Sequence, residues 1–133
     1  MLEEWIGEAT AEYRLIVEVY VALENGAPTL AAMGVRAIIE TIMINTVGDQ
    51  GSFKNNLVEM KDKGWISQID VNNLTAVIDV GSAAIHRGHR PSLDDTIRAL
   101  DIAEILVKRV HLDKNAILAL KKSTPSRRPK GDA

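Results

Sequence analysis

The sequence predicts an all-α protein, a compact antiparallel bundle of five to six helices. Aromatic residues make up only 4% of the chain against 46% apolar residues overall, so Leu, Ile, Val, Ala and Met must build the core. A β-sandwich or barrel would use more Val, Thr and aromatic residues. Apolar residues also recur at the spacing of an amphipathic helix, at Ile16, Val19, Tyr20 and Leu23. A chain of 133 residues has the size of one domain.

The first two predicted helices are divided by a stop signal. The first spans residues 8–25, where Asn25-Gly26 supplies a left-handed stop and Pro28 prevents direct continuation. Thr29 is predicted to cap the second helix, which runs to about Val47. Because this second helix is apolar on most sides, we expect it to be the central helix of the bundle.

Serine marks the starts of the third and fourth predicted helices, and glycine marks where each of them ends or is interrupted. The third covers residues 53–63, with Ser52 at its start and Gly64 as its C-terminal cap. Ser67 caps the fourth helix, whose inward residues include Ile69. Gly81 is predicted to interrupt the later part of that helix, which argues against a long straight element.

The fifth predicted helix has the clearest start. In the range 91–95 a serine cap precedes two carboxylates, which suit the positive end of a helix. Lys108-Arg109 stand where a helix end favours cations, and Asp113 is predicted to cap a short sixth helix. A single helical domain therefore covers residues 1–122, and the polar residues 123–133 are expected to form a disordered basic tail. The inward stripe of the fifth helix comprises Ile97, Leu100, Ile102, Ile105, Leu106 and Val110.

Composition excludes several classes of protein. The chain has no cysteine, which excludes a disulfide framework, a thiolate metal site and a catalytic cysteine. Residues 1–5 are acidic and lack the basic-then-apolar plan of a signal peptide. The most apolar stretch, residues 15–23, is too short to cross a bilayer. We therefore expect a cytoplasmic protein with no membrane association.

Charge divides unevenly along the chain. Residues 1–60 carry 3 basic and 9 acidic side chains, whereas residues 61–133 carry 13 basic and 9 acidic ones. This asymmetry would orient an acidic partner against the C-terminal half, although two solvated faces are the more common explanation. The cations near the end either contact RNA or DNA phosphates or only keep the chain soluble: Lys121, Lys122, Arg127, Arg128 and Lys130.

Polar residues concentrate between the fourth and fifth predicted helices, at His86, Arg87, His89 and Arg90. Small residues precede them and would let the fourth helix pack closely against a neighbour. One interpretation makes His86 an acid/base group near neutral pH, with Arg87 or Arg90 holding a phosphate. The other has His86 bonded to backbone at a helix end and the arginines solvated. Two histidines without an assured carboxylate are an incomplete ligand set, so no metal is expected.

Arg36 and Glu40 stand one turn apart on the second helix. They either form an ion pair within the helix or face His86 across a polar pocket. Our hypothesis is that His86 organises the following turn and lines a polar cleft with Arg36 and Glu40. No cofactor is expected, because the glycines of residues 48–52 lack the Lys-Ser/Thr ending of a phosphate loop and follow a helix.

Five segments resemble, in order, those of one prokaryotic family, catalogued as domain of unknown function 4145 (DUF4145). The resemblance covers roughly residues 12–111. The first segment is similar to a "G-[IV]-R-x-x-[IL]-E" helix, the third to an "x-G-x-I" turn and the fourth to "G-N-x-A-A-H". The segments are Met33-Gly34-Val35-Arg36-Ala37-Ile38-Ile39-Glu40, Gly51 to Leu57, Lys63-Gly64-Trp65-Ile66, Gly81-Ser82-Ala83-Ala84-Ile85-His86, and Pro91 to Val110.

This resemblance implies a fold like the HEPN helical domains, antiparallel bundles that commonly dimerise. Many HEPN domains are metal-independent ribonucleases of defence systems, and others are binding or scaffold modules. The active ribonucleases carry Arg-x(4–6)-His, and none of the three histidines here has an arginine at that distance. Ser82 stands where the family usually has Asn, which still permits a capping hydrogen bond.

We therefore expect a non-catalytic interaction module of a bacterial defence or stress system, a homodimer that binds protein or nucleic acid. Its partner would be a protein from a neighbouring gene, or RNA or DNA contacted through the C-terminal half. The alternative is a metal-independent, toxin-like ribonuclease that uses His86, with Arg87, Arg90 or Arg36 stabilising the phosphate. No catalytic residue is assigned beyond the candidate His86. The candidate binding residues are Arg36, Glu40, Ser82, His86, Arg87, His89 and Arg90.

Overall fold

The structure is a computed structural model that describes residues 10–127, apart from the side chains of residues 113–115. This part of the chain is all-α, as the sequence predicts, and it holds no strand. It contains five helices: α1 (Ala11–Glu24), α2 (Pro28–Val47), α3 (Phe53–Asp62), α4 (Gln68–His86) and α5 (Leu93–Ser123). The predicted start of the first helix at residue 8 lies outside the described residues.

Helix α2 is the centre of the bundle, which confirms its predicted position. It contacts each of the other four helices, and its core residues are Ala31, Ala32, Val35, Ile38, Ile39, Ile42 and Met43. A helix that is apolar around most of its circumference requires neighbours on all sides. By length and composition alone α2 would also pass as a membrane span, but in the bundle those apolar residues form the core.

Neighbouring helices run antiparallel, as several cross-contacts show. Near the start of α1, the buried Glu12 accepts a hydrogen bond of 3.0 Å from Asn45 near the end of α2. Midway along the same pair, a Cβ added at Gly34 would lie 2.5 Å from Cγ2 of Val19. The glycine therefore allows α1 and α2 to approach more closely than any other residue would. Likewise, Asp70 at the start of α4 pairs with Arg109, near the end of the part of α5 that packs in the core.

The predicted serine caps at Ser67 and Ser92 are confirmed, and Ser52, predicted to open α3, is also a cap. The hydroxyl groups of Ser52, Ser67 and Ser92 each accept a hydrogen bond from the backbone N–H three residues later. The predicted cap at Thr29 is wrong, because α2 already begins at Pro28 and has no side-chain cap. Proline at the first helical position has φ preset for a helix and no N–H to satisfy.

Two predicted breaks are absent. Helix α4 continues through Gly81, whose missing side chain serves packing against α2. Helix α5 replaces the predicted fifth and sixth helices, so Asp113 lies inside a helix of 31 residues and does not cap a new one. Residues 93–123 contain neither Gly nor Pro, so no strong stop acts on the backbone there.

The buried core reaches Val110 of α5 and draws on all five helices. Beyond it, residues 111–123 extend α5 by roughly 20 Å, with four large apolar side chains exposed: Leu112, Ile117, Leu118 and Leu120. Three residues predicted to face inward are exposed instead: Ile69 is 71% exposed, Ile97 40% and Ile105 56%. Residues 124–127 follow α5 without helix. The rest of the predicted tail, with Arg128 and Lys130, lies outside the described residues, so the boundary at residue 122 and the disorder stay predictions.

Candidate functional site

Arg36 is half-buried where α2 meets α3 and α4. Its guanidinium carbon lies 4.4 Å from the centroid of the Phe53 ring, a cation–π distance. A Cβ added at Gly81 would lie 2.7 Å from Cβ of Arg36 and 3.0 Å from the carbonyl oxygen of Ala32. Nε of Arg36 is buried without a hydrogen-bond partner. Arg36 therefore packs against both α3 and α4 through its stem and its planar end group.

Glu40 is half-buried one turn further along α2. Within residues 10–127 no ion pair joins it to Arg36, so the predicted pair is not formed. Because the guanidinium of Arg36 stacks on Phe53, it is oriented by a tertiary contact and not by its neighbour one turn away. The small residues before His86 do allow the close approach of α4 that the sequence predicts.

The segment after Ala83 closes α4 through its backbone. The carbonyl oxygen of Ala83 accepts hydrogen bonds from the backbone N–H groups of Arg87 at 3.0 Å and His89 at 3.1 Å. Gly88, between them, has φ of +63°, a conformation that glycine adopts without strain. The main chain of the polar segment therefore has a structural role as the end of the helix.

The side chains of this segment face solvent. His86 is the last residue of α4, and His86, Arg87, His89 and Arg90 are all exposed. Nη2 of Arg87 donates to Oδ1 of Asp79 at 3.0 Å, and Asp79, Arg87 and His89 border a shallow depression of about 410 Å³. An exposed ion pair of this kind contributes about 0–1 kcal/mol to stability.

The hypothetical cleft of His86, Arg36 and Glu40 is not assembled by polar contacts. In the described part of the chain no hydrogen bond or ion pair connects His86 to either residue. Ser82 is half-buried beside Gly81, and Arg90 is exposed. Among residues 10–127, no group of three His, Asp or Glu side chains is positioned to hold a metal ion.

An apolar groove between α3 and α4 was not predicted from the sequence. It encloses about 460 Å³ and is lined by Phe53, Leu57, Val58, Val71, Thr75 and Ile78, with Lys54, Lys61, Asp62 and Gln68 among its polar lining residues. Nζ of Lys61 donates to Oε1 of Gln68 at 2.8 Å, linking the two walls. Val58, on the wall of the groove, is 47% exposed. Local sequence features do not mark the groove, because its walls come from two helices that meet only when the bundle packs.

A second, smaller cleft of about 220 Å³ lies between α4 and α5. Its polar edge is an ion pair of 2.7 Å between Oδ2 of Asp70 and Nη1 of Arg109. The backbone N–H of Ser67 and the guanidinium of Arg109 hold the pKa of Asp70 below its usual value, and burial opposes them. The sequence predicts Arg109 at a helix end and does not predict this pair, although Ser67 and Asp70 have the spacing of a capping box.

Several residues that carry the family resemblance stand where helices pack closely. Gly34 contacts α1, while Arg36 and Gly81 join α2 to α4. A family model described as "Domain of unknown function (DUF4145)" matches residues 17–128. No curated protein and no solved structure gives a significant match to the sequence. Because the family match covers most of the chain, from the first described helix to the end of the last, this protein belongs to the DUF4145 family.

Proposed function

We propose that this DUF4145 domain is a non-catalytic interaction module whose α3–α4 groove binds a helix of a partner protein. The observation that carries the proposal is the groove itself, an apolar trough between two helices with an exposed valine on its wall. Exposed apolar surface bordered by polar residues is typical of binding sites. By contrast, the histidines and arginines that would serve catalysis stay on a solvated turn.

The shape of the groove suits a helical ligand. Two packed helices form a trough into which an amphipathic helix can lay its apolar face. Lys54 and Lys61 line the groove seven residues apart on α3, roughly 10 Å along the helix axis. Carboxylates two turns apart on a partner helix would match this spacing. The proposed ligand is therefore an amphipathic helix with acidic residues beside its apolar stripe.

The biological setting of the proposal comes from the family resemblance. HEPN-like relatives act in bacterial defence and stress systems, so we place the partner among the products of neighbouring genes and the complex in the cytoplasm. These assignments direct the experiment to the native host.

Site-specific photo-crosslinking tests the groove. A photoreactive phenylalanine analogue at Val58 should give a crosslink to one protein, identified by mass spectrometry, when expressed in the native host. The same analogue at Ile69, which is also exposed but does not line the groove, serves as the matched control. The purified partner should then bind wild-type protein more tightly than Lys54→Glu/Lys61→Glu. Equal crosslinking from both positions, or unchanged affinity of the double variant, would contradict the proposal.

The ribonuclease alternative draws on one observation, the exposure of His86, Arg87, His89 and Arg90 at one end of the bundle. Arg87 is engaged by Asp79, and the Arg-x(4–6)-His pattern is missing, so we propose it only as the second candidate. Cleavage of a mixed RNA pool in EDTA, by wild-type protein and by His86→Ala, separates the two. Cleavage that disappears in a folded His86→Ala variant would replace the interaction module with a nuclease.

A further inference from the structure

Helix α5 has a second apolar stripe in addition to the one that enters the core. Its members are spaced by three or four residues and fall within roughly 80° of one another around the helix: Ile102, Ile105, Arg109, Leu112, Ala116 and Leu120. Ile105 is 56% exposed, Leu112 42% and Leu120 64%. The core-facing residues, such as Ala103 and Val107, lie on a different side and are fully buried.

The outer stripe has the spacing of a helix–helix seam. Steps of three or four residues over 19 positions place one line of side chains along the helix for roughly 27 Å. Only Arg109 interrupts it, and the charge of Arg109 is paired with Asp70 of the same chain. The small cleft between α4 and α5 adjoins the stripe at Ile102 and Ile105, so the apolar surface there is wider than one row of side chains.

Formal charge changes sign along α5. Residues 93–105 contain four acidic side chains and one basic, whereas residues 106–123 contain five basic and one acidic. Two copies packed in parallel would bring like charges together, whereas two antiparallel copies would set each acidic half against a basic half. Antiparallel packing also opposes the two helix dipoles favourably. Asp95 and Arg98 pair within the helix and Glu104 accepts a hydrogen bond from Tyr20. The other charges of the two halves favour the antiparallel orientation.

We propose that a second copy of this chain covers the outer stripe, with the two α5 helices packed antiparallel about a two-fold axis. Aligning the stripes end to end sets Ile102 opposite Leu120 and Ile105 opposite Ala116, so the axis passes near residue 111. The interface is isologous, because each copy contributes the same surface. It supplies a contact surface for the homodimer expected from the sequence and leaves the α3–α4 groove outside the stripe.

The oligomeric state of the full chain tests the interface. Size-exclusion chromatography with light scattering should give a dimer mass for the wild type and a monomer mass for Ile105→Asp/Leu112→Asp. Burying carboxylates without partners should raise the dimer dissociation constant about 100-fold or more. Leu30→Asp is the matched control, because Leu30 is 64% exposed at the start of α2, and it should remain dimeric. Circular dichroism checks that all variants stay helical.

Single cysteines test the orientation, since the chain has none of its own. In the antiparallel arrangement Leu112→Cys lies near the axis and should form a disulfide with its own copy. Ile105→Cys should not, because the two copies of residue 105 would be roughly 18 Å apart. A mixture of Ile105→Cys and Ala116→Cys should crosslink between the two variants.

Three outcomes would overturn the proposal. A wild-type protein that stays monomeric at every concentration leaves the stripe to another occupant, such as a partner protein or a nucleic acid. A dimer that survives Ile105→Asp/Leu112→Asp uses a different surface. Equal self-crosslinking of Ile105→Cys and Leu112→Cys requires parallel helices. None of these outcomes depends on the groove, so failure here is separable from failure of the proposed function.

Discussion

The role of Gly81 becomes clear only from its neighbours in the bundle. From the sequence, the low helix propensity of glycine predicts a break in the helix at this position. In the bundle it lets α4 approach α2, because a Cβ at this position would lie 2.7 Å from Cβ of Arg36 and 3.0 Å from a backbone carbonyl oxygen. Neither atom belongs to the far end of a flexible side chain, so neither can move aside cheaply. Gly81 and Arg36, two residues of the family motifs, therefore act together as one packing contact.

Gly81→Ala should destabilise the protein despite its better helix propensity. Propensity favours alanine by about 1 kcal/mol, whereas overpacking costs about 1–3 kcal/mol, so we expect a net loss of roughly 1 kcal/mol in the free energy of unfolding. Urea titration followed by circular dichroism measures it. Ser82→Ala is the control, since it adds no atom, and should leave stability nearly unchanged. A Gly81→Ala protein as stable as wild type would show that the two helices separate without cost.

At the scale of elements, the start of α4 combines a local signal with a long-range one. Ser67 and Asp70 form a reciprocal capping box within one turn. Asp70 also accepts a hydrogen bond of 2.7 Å from Arg109 of α5. The local part is readable from spacing, whereas the pairing with Arg109 depends on how α5 lies against α4. The same carboxylate thus caps the start of α4 and pairs with α5.

Asp70→Asn should lower the free energy of unfolding at neutral pH by about 1–2 kcal/mol. The pKa of Asp70 is lowered in the folded protein, first by the backbone N–H of Ser67 and then by Arg109. Its contribution is therefore complete above the ordinary value of 3.8 and is lost as pH falls below it. Urea titrations from neutral to acidic pH should show the gap between wild type and Asp70→Asn closing in that range.

Arg109→Gln separates the effect of Arg109 on the pKa of Asp70 from the effect of the Ser67 backbone N–H. It removes the long-range partner and leaves the capping box intact, so most of the acid dependence should persist. A pH profile for Arg109→Gln that matches Asp70→Asn would mean that the ion pair, and not the cap, dominates.

Across the whole molecule, the first and last described helices are joined by a polar contact. The hydroxyl of Tyr20 in α1 donates a hydrogen bond to Oε1 of Glu104 in α5. Burial, followed by the hydrogen bond and the negative charge of Glu104, raises the pKa of Tyr20 to about 12. The hydrogen bond requires the protonated phenol of Tyr20. It is therefore lost only under strongly alkaline conditions.

Tyr20→Phe should reduce the loss of stability at high pH. The pKa of Tyr20 is raised on folding, so its contribution is present below the ordinary value of 10.0 and is lost between pH 10 and about 12. Thermal unfolding of wild type and Tyr20→Phe across that range measures the difference, and ultraviolet absorbance of the phenolate follows the titration. Identical alkaline profiles for the two proteins would show that Tyr20 ionises as it would in the unfolded chain.

The groove, the outer stripe and the turn after α4 differ in their surface chemistry. The α3–α4 groove is apolar and concave, the outer stripe of α5 is apolar and linear, and the turn after α4 is charged and solvated. Only the third was visible as a candidate site in the sequence, because a cluster of histidine and arginine is a local feature. The first two are made of residues from separate turns or separate helices.

The sequence by itself determined the all-α class, the central position of α2 and the serine caps at Ser52, Ser67 and Ser92, because periodicity and capping act within a few residues. Only the tertiary structure decided that α4 runs through Gly81, that Arg36 stacks on Phe53 instead of pairing with Glu40, and that α5 continues past Val110. These features depend on which atoms lie opposite a residue across the bundle. Local helix propensities differ by about a kilocalorie per mole or less, so tertiary contacts of this kind override them. The groove and the stripe are consequences of the same packing.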